Sequence, residues 1–159
     1  MKHTPIAFRG DSVRAILAGR KTETRRLVRY DANGTAKPCR YGGWGDRLWV
    51  KETWRIHSAD EGTQHVEYRA DTDGASERGR PWRPPRYMPR WASRIELEVV
   101  GVYRELLQRI TEAGAIAEGF SGVAGFQEAW DEIYKNRGPY WADNPLVDVV
   151  KFRLIGAEE

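Results

Sequence analysis

The chain has 159 residues and a mass of 18.3 kDa, the size of a single domain. Hydrophobic residues make up 40% and charged residues 31% of it, so a buried core is feasible and wholesale disorder is excluded. A single cysteine, Cys39, excludes an internal disulfide and a multi-cysteine zinc site, and three scattered histidines (His3, His57, His65) argue against a metal centre. No metal or organic cofactor is expected. No stretch approaches the ~20 apolar residues of a membrane span, and the start MKHTPIAFRGDS lacks the apolar core of a signal peptide. A cytoplasmic protein with no membrane partner is the expectation; oligomeric state is not legible.

In chain order, residues 4–8 read as a short strand. Asp11 and Ser12 offer a helix N-cap, Val13, Ile16 and Leu17 follow at helical spacing, and Gly19 supplies the stop. Residues 19–26 then begin as a turn or loop, and residues 31–45 are rich in turn formers. The run 47–54, RLWVKETW, alternates as a strand does, and a second strand is expected at 65–70. Residues 71–86 are polar, basic and rich in Gly and Pro, a long excursion of the kind that carries function.

Ile95, Leu97 and Val99 alternate with Glu96 and Glu98 in a strand with one wet face. Helices are expected at 111–118, ended by Gly119, and at 125–135, where Phe126, Trp130, Ile133 and Tyr134 fall at core spacing. Residues 146–155 close the chain as a strand. This order predicts an α+β fold, a small closed or nearly closed β-barrel with short peripheral helices. Residues 1–159 form one domain with a basic loop insertion around 71–90.

The charge is unevenly placed. Of the 26 basic residues, 20 are arginine. Residues 1–30 carry eight bases and two acids, whereas residues 110–159 carry four bases and nine acids. Six arginines (Arg78, Arg80, Arg83, Arg86, Arg90, Arg94) fall in 78–94 without an acid and are interleaved with Trp82, Tyr87 and Trp91. Guanidinium groups beside aromatic faces suit phosphate contact and base stacking.

The densest chemical signal is Gly19-Arg20-Lys21-Thr22-Glu23-Thr24-Arg25-Arg26. In a tight turn, residues three apart lie within ~7 Å by Cα, which brings Lys21 toward Thr24. A threonine hydroxyl becomes a nucleophile when a base removes its proton, and a neutral lysine amine is such a base. Burial and neighbouring cations both favour the neutral amine, and Arg20, Arg25 and Arg26 are close in sequence. Without that shift Lys21 is a phosphate or carboxylate contact. Elsewhere, Gly45-Asp46 reads as a tight turn with Asp46 bonding backbone amides. Glu52 reads as a salt-bridge partner, and Trp130 and Tyr134 as packing.

GRKTETRR after a short helix, WGDRLWVKETW, MPRWASRIELEV and LQRITEAGAIAEGF together resemble an ASCH-domain protein, most like the longer versions frequent in phages and prophages. The resemblance runs from about Ile6 to Ile155. It implies a PUA-like β-barrel, a fold associated with RNA. One branch of that superfamily hydrolyses the acetyl amide of N(4)-acetylcytidine with Lys, Thr and Glu. Its G-x-K-x-x-T-x-R-like block matches Gly19, Lys21, Thr24 and Arg26, and its T-E-x-x-A-x-x-E pattern matches Thr111, Glu112, Ala115 and Glu118.

The resemblance implies Thr24 as nucleophile, Lys21 as its activating base and Glu118 as their partner. Arg20, Arg26, Trp54, Tyr87 and Arg90 are the candidate substrate contacts. This chain is longer than those enzymes, carries its basic excursion, and has Arg25 where they favour an apolar residue. A modified pyrimidine nucleoside or RNA is the expected partner. The alternatives are an RNA-binding reader without catalysis and a metal-independent ribonuclease.

Overall fold

The computed structural model describes residues 1–58, 64–72 and 80–156. Its main sheet takes β1 (His3–Ala7), β2 (Glu23–Leu27), β3 (Arg47–Lys51), β6 (Glu96–Leu106) and β7 (Leu146–Leu154). The strand order is β1-β3-β6-β7-β2. β1 runs parallel to β3, and the other neighbours are antiparallel. A separate hairpin pairs β4 (Trp54–Ser58) with β5 (Gln64–Tyr68). The fold is α+β.

The alternation read from the sequence sets the first core. Ile6, Leu48, Val50, Leu97, Val99, Val150 and Phe152 point to one side of the sheet, where Val13 and Ile16 of helix α1 (Gly10–Leu17) cover them. β7 is buried on both faces, because Val147 and Val149 belong to a second core beneath α2 (Glu112–Ala117) and α3 (Val123–Ile133). A buried aliphatic side chain contributes about 1.5–3 kcal/mol, so these two cores fix the sheet between its helical covers. A bulge between Val99 and Gly101 lets β6 continue well past the alternating run.

The expected barrel is not formed: among the described residues β1 and β2 are the two edges of an open sheet and no ladder joins them. A side chain spans the seam instead, Arg26 Nη2 donating to the Ala7 carbonyl at 2.8 Å. The segment 19–26 begins as a turn, as expected, and becomes strand at Glu23; Thr24, Arg25 and Arg26 lie on β2, paired with Val150, Val149 and Asp148. One local expectation is corrected. The N-cap position of α1 is Arg9, with no side-chain cap, while Asp11 Oδ1 accepts from the Ser12 N–H.

The run 47–54 breaks at Glu52 and Thr53, so β3 stays in the main sheet and Trp54 opens the hairpin. Glu52 accepts from one edge of the Arg94 guanidinium, Nε and Nη2 each at 3.0 Å, the ion pair expected of it. Asp46 accepts from the Lys2 and Gly43 amides, also as expected. Of the basic insertion, residues 73–79 with Arg78 lie outside the described residues. The part from Arg80 to Ala92 packs on the hairpin: Trp54 and Arg83 exchange backbone hydrogen bonds, and Trp54, Met88 and Ala92 form a third small core.

Candidate active site

Three chain segments converge at the seam between β1 and β2. The first is the end of β1, where Ala7 and Phe8 lead into α1. The second is Lys21 and the start of β2. Gly19, at φ 78°, turns the chain out of α1, and the Arg20 and Lys21 amides both donate to the Ala15 carbonyl. The third is the end of α2. Thr111 caps that helix by accepting from the Gly114 N–H at 3.0 Å, and Gly119, at φ 101°, ends it. A Cβ on Gly119 would stand 3.2 Å from the Ala15 Cβ and 3.6 Å from the Lys21 Cβ. The glycine therefore allows the end of α2 to close onto Lys21, and the Thr22 amide fixes that approach by donating to Ala117.

Glu118 is thereby placed on Lys21. The Lys21 ammonium donates to Glu118 Oε1 at 2.7 Å and to the Glu118 backbone carbonyl at 2.9 Å. Both residues are buried, Lys21 at 4% and Glu118 at 5% exposure. Burial pushes the Lys21 amine below the ordinary lysine value; Glu118 opposes the shift, and Arg26 and Arg25 add to it. The other carboxylate oxygen, Glu118 Oε2, accepts from Arg25 Nη1 at 3.2 Å.

Thr24 is also buried, and its hydroxyl accepts from Arg26 Nε at 3.3 Å. Among the described residues no hydrogen bond joins Lys21 to Thr24. Both line one cavity of about 200 Å³, together with Arg25, Arg26 and Glu118. Half of its remaining wall is aromatic, Phe8, Phe120, Phe126, Trp130 and Tyr134, and Ala7, Arg9, Ser12, Ala129 and Ile133 complete it. The Arg26 guanidinium lies over the Phe8 ring, 4.9 Å from its centre, a cation–π contact that ties the arginine to the wall.

Not every candidate substrate contact is brought here. Arg26 lines the cavity. Arg20 lies beside it, exposed, with Nη1 3.5 Å from the Gly119 carbonyl, and is not part of the lining. Trp54 is a buried core residue of the hairpin, 5.3 Å from the Arg83 guanidinium. Tyr87 is exposed beside Arg86, and Arg90 is bonded to Glu96 and lies over Trp49. Of these three, Arg90 lies on the main sheet, and only Tyr87 borders a second surface, built on the β4–β5 hairpin and residues 80–87. There a depression of about 440 Å³ is lined by Arg55, Arg80, Trp82, Arg83 and Tyr87 among others, with no carboxylate among the described lining residues.

Sequence reasoning missed Arg25, Glu23 and the aromatic wall. Trp130 and Tyr134 do pack, at 4.6 Å between ring centres, yet the same two rings face the cavity. Trp130 Nε1 is already used, donating to the Pro139 carbonyl, so this ring offers only its face. The available signal was the pattern Glu23-Thr24-Arg25-Arg26: on a strand it puts Arg25 and Glu23 on one side and Thr24 and Arg26 on the other.

Among the described residues no group of three or more His, Cys, Asp or Glu side chains could hold a metal ion, and no helix is long and apolar enough to cross a membrane.

No protein-family model and no curated protein sequence matches the chain. Solved structures do. The chain is similar to the ASCH domain from Lactobacillus crispatus JV V101, with a TM-score of 0.53 and 16% identity over 96% of this chain and 79% of that one. It is also similar to protein EF3133 from Enterococcus faecalis V583, of family DUF984, with a TM-score of 0.50 and 12% identity over 98% of this chain and 80% of that one.

Proposed function

We propose that this chain, which has the fold of an ASCH domain, hydrolyses an acyl amide on a modified pyrimidine nucleoside of the N(4)-acetylcytidine kind. The observation that carries the reading is the buried Lys21–Glu118 pair sharing one aromatic-walled cavity with the Thr24 hydroxyl. Lysine is useful as a base only when neutral, and burial beside Arg26 and Arg25 moves it in that direction. The cavity, about 200 Å³, is smaller than the ~300–1,000 Å³ of sites that enclose whole ligands. It suits a pyrimidine ring with its acyl group, the sugar remaining at the mouth.

Lys21 takes the Thr24 hydroxyl proton as Oγ1 attacks the acyl carbonyl carbon. The tetrahedral intermediate collapses, the carbon–nitrogen bond breaks, and the exocyclic amine leaves with the proton held by Lys21. Water, deprotonated by Lys21, then attacks the acyl-threonine ester, releasing the carboxylic acid and restoring the hydroxyl. Arg26 Nε, which donates to Thr24 Oγ1, stabilises negative charge building on that oxygen. Glu118 holds Lys21 in place and stabilises it while protonated. The transfer from Thr24 to Lys21 is completed with substrate bound, as catalytic contacts commonly tighten only then. Incubation with N(4)-acetylcytidine tests the reading: cytidine is released by the unmodified protein and not by Lys21→Ala or Thr24→Ala.

A second reading, an RNA reader, is favoured by the depression around Trp82, Arg83 and Tyr87, whose described lining carries arginines and no carboxylate. Exposed Arg83 and the exposed Tyr87 ring suit contact with a single strand. The two readings are compatible, since this surface uses none of the residues assigned to the chemistry.

A further inference from the structure

Arg25 donates to three carboxylates yet takes no part in the bond-making and bond-breaking steps. It is buried, at 5% exposure. Nη1 donates to Glu23 Oε2 at 2.6 Å and to Glu118 Oε2 at 3.2 Å, and Nη2 to Glu105 Oε2 at 3.4 Å. Its Nε is buried without a hydrogen-bond partner, so full satisfaction of the guanidinium does not explain its position. Glu23 alone would suffice as an anchor. The contact to Glu118 does something further, because it divides one carboxylate between two cations, Oε1 to Lys21 and Oε2 to Arg25.

Of those two cations, only one can titrate in a usable range. A guanidinium stays charged in proteins, whereas a buried lysine gives up its proton readily. We infer that Arg25 is a positioning residue that acts through Glu118: by holding Oε2 it fixes the carboxylate and makes Lys21 the member of the cluster that releases its proton. The inference rests on the reading of Lys21 as the base. A purely structural arginine would anchor Glu23 and Glu105 and leave the Lys21 titration where it is.

The test follows the Lys21 titration directly, through its ¹³Cε chemical shift, in protein without substrate. The variant is the double substitution Glu23→Gln/Arg25→Gln, which removes one acid and one base together and frees Glu118 Oε2. The Lys21 midpoint is expected to rise, because Glu118, no longer shared with Arg25, serves Lys21 alone. The acid limb of kcat/KM for N(4)-acetylcytidine should rise with it, and Arg25→Lys should restore most of the shift.

A second version, Glu23→Met/Arg25→Met, guards against misfolding, since apolar replacement of a buried ion pair often leaves stability unchanged. An unmoved Lys21 midpoint in either folded double variant overturns the inference. A raised midpoint in a protein without turnover upholds the arrangement around Lys21 and overturns its catalytic use; turnover with an unmoved midpoint overturns the role of Arg25 alone.

Discussion

Glu118 holds Lys21 twice, through its carboxylate at 2.7 Å and through its own backbone carbonyl at 2.9 Å. The two residues are 97 positions apart, and the contact is made because α2 ends at a glycine packed on α1 and on the base of Lys21. A buried lysine is thus fixed by main chain as well as side chain. Loss of the carboxylate still leaves the amine an acceptor but strips it of its counter-charge.

Glu118→Gln is therefore expected to cost about 3–5 kcal/mol of stability at neutral pH, the range for breaking a buried ion pair from one side. Turnover should fall ~10²–10⁴-fold, the range for loss of acid–base function. Urea unfolding and cytidine release, measured on the same preparation, check both.

The depressed Lys21 value has a definite sign in stability. Between that value and the ordinary lysine value, the folded protein has lost the proton and the unfolded chain still holds it. Stability then rises with pH across that interval, the reverse of a lysine stabilised by its partner. Denaturation at a series of alkaline pH values should show this rise in the unmodified protein and its disappearance in Lys21→Met. Taking the difference between the two cancels buried tyrosines such as Tyr134, whose raised values act oppositely.

Much of this site was legible in the chain. Gly19, Lys21, Thr24 and Glu118 are picked out by the resemblance to an ASCH domain and not by their spacing alone, and Thr111 and Gly119 mark the two ends of α2. The strand under Thr24 was not legible, because Glu23-Thr24-Arg25-Arg26 has no apolar alternation to read. Its burial comes from ion pairs and from β7, a partner more than 100 residues away. The open seam was hidden for a related reason: the parallel pairing of β1 with β3 is long-range and leaves no turn signal. Trp54 is a ring able to stack a base, and Tyr87 and Arg90 flank a Met-Pro pair beside a strand start, which marks them as ligand contacts in sequence. In the fold Trp54 is buried in the hairpin core, Tyr87 faces the depression beside it, and Arg90 lies on the main sheet.

Arg26→Met removes the donor on Thr24 Oγ1 and the strut to Ala7 across the seam. The expected effect is a ~10²-fold loss in kcat, as for removal of one donor to a developing oxyanion, with a smaller change in KM. Steady-state kinetics separate the two parameters.

Arg94→Met leaves Glu52, at 1% exposure, without its guanidinium. A loss of about 3 kcal/mol is expected. Burial already raises the Glu52 carboxyl; once Arg94 is gone it rises further, so protonation relieves the cost. The loss measured by urea unfolding should then be smaller at mildly acid than at neutral pH.

The second surface is tested by salt. For a single-stranded RNA oligonucleotide, Arg83→Ala/Arg86→Ala should lower the slope of log affinity against log salt by about 1.4, roughly 0.7 for each phosphate that is no longer neutralised. Turnover of free N(4)-acetylcytidine should be unaffected, because neither residue lines the Lys21 cavity. Fluorescence anisotropy across a salt series supplies the slope.

In the proposed reaction Thr24 carries the acyl group between the two halves of hydrolysis. Rapid-quench mass spectrometry of the protein with N(4)-acetylcytidine looks for that acyl-enzyme itself. A transient acetyl adduct should map to Thr24, accumulate no further as cytidine is released, and be absent from Thr24→Ala and Lys21→Ala. Cytidine release by Thr24→Ala at the unmodified rate, or no cytidine release by the folded unmodified protein, would contradict it.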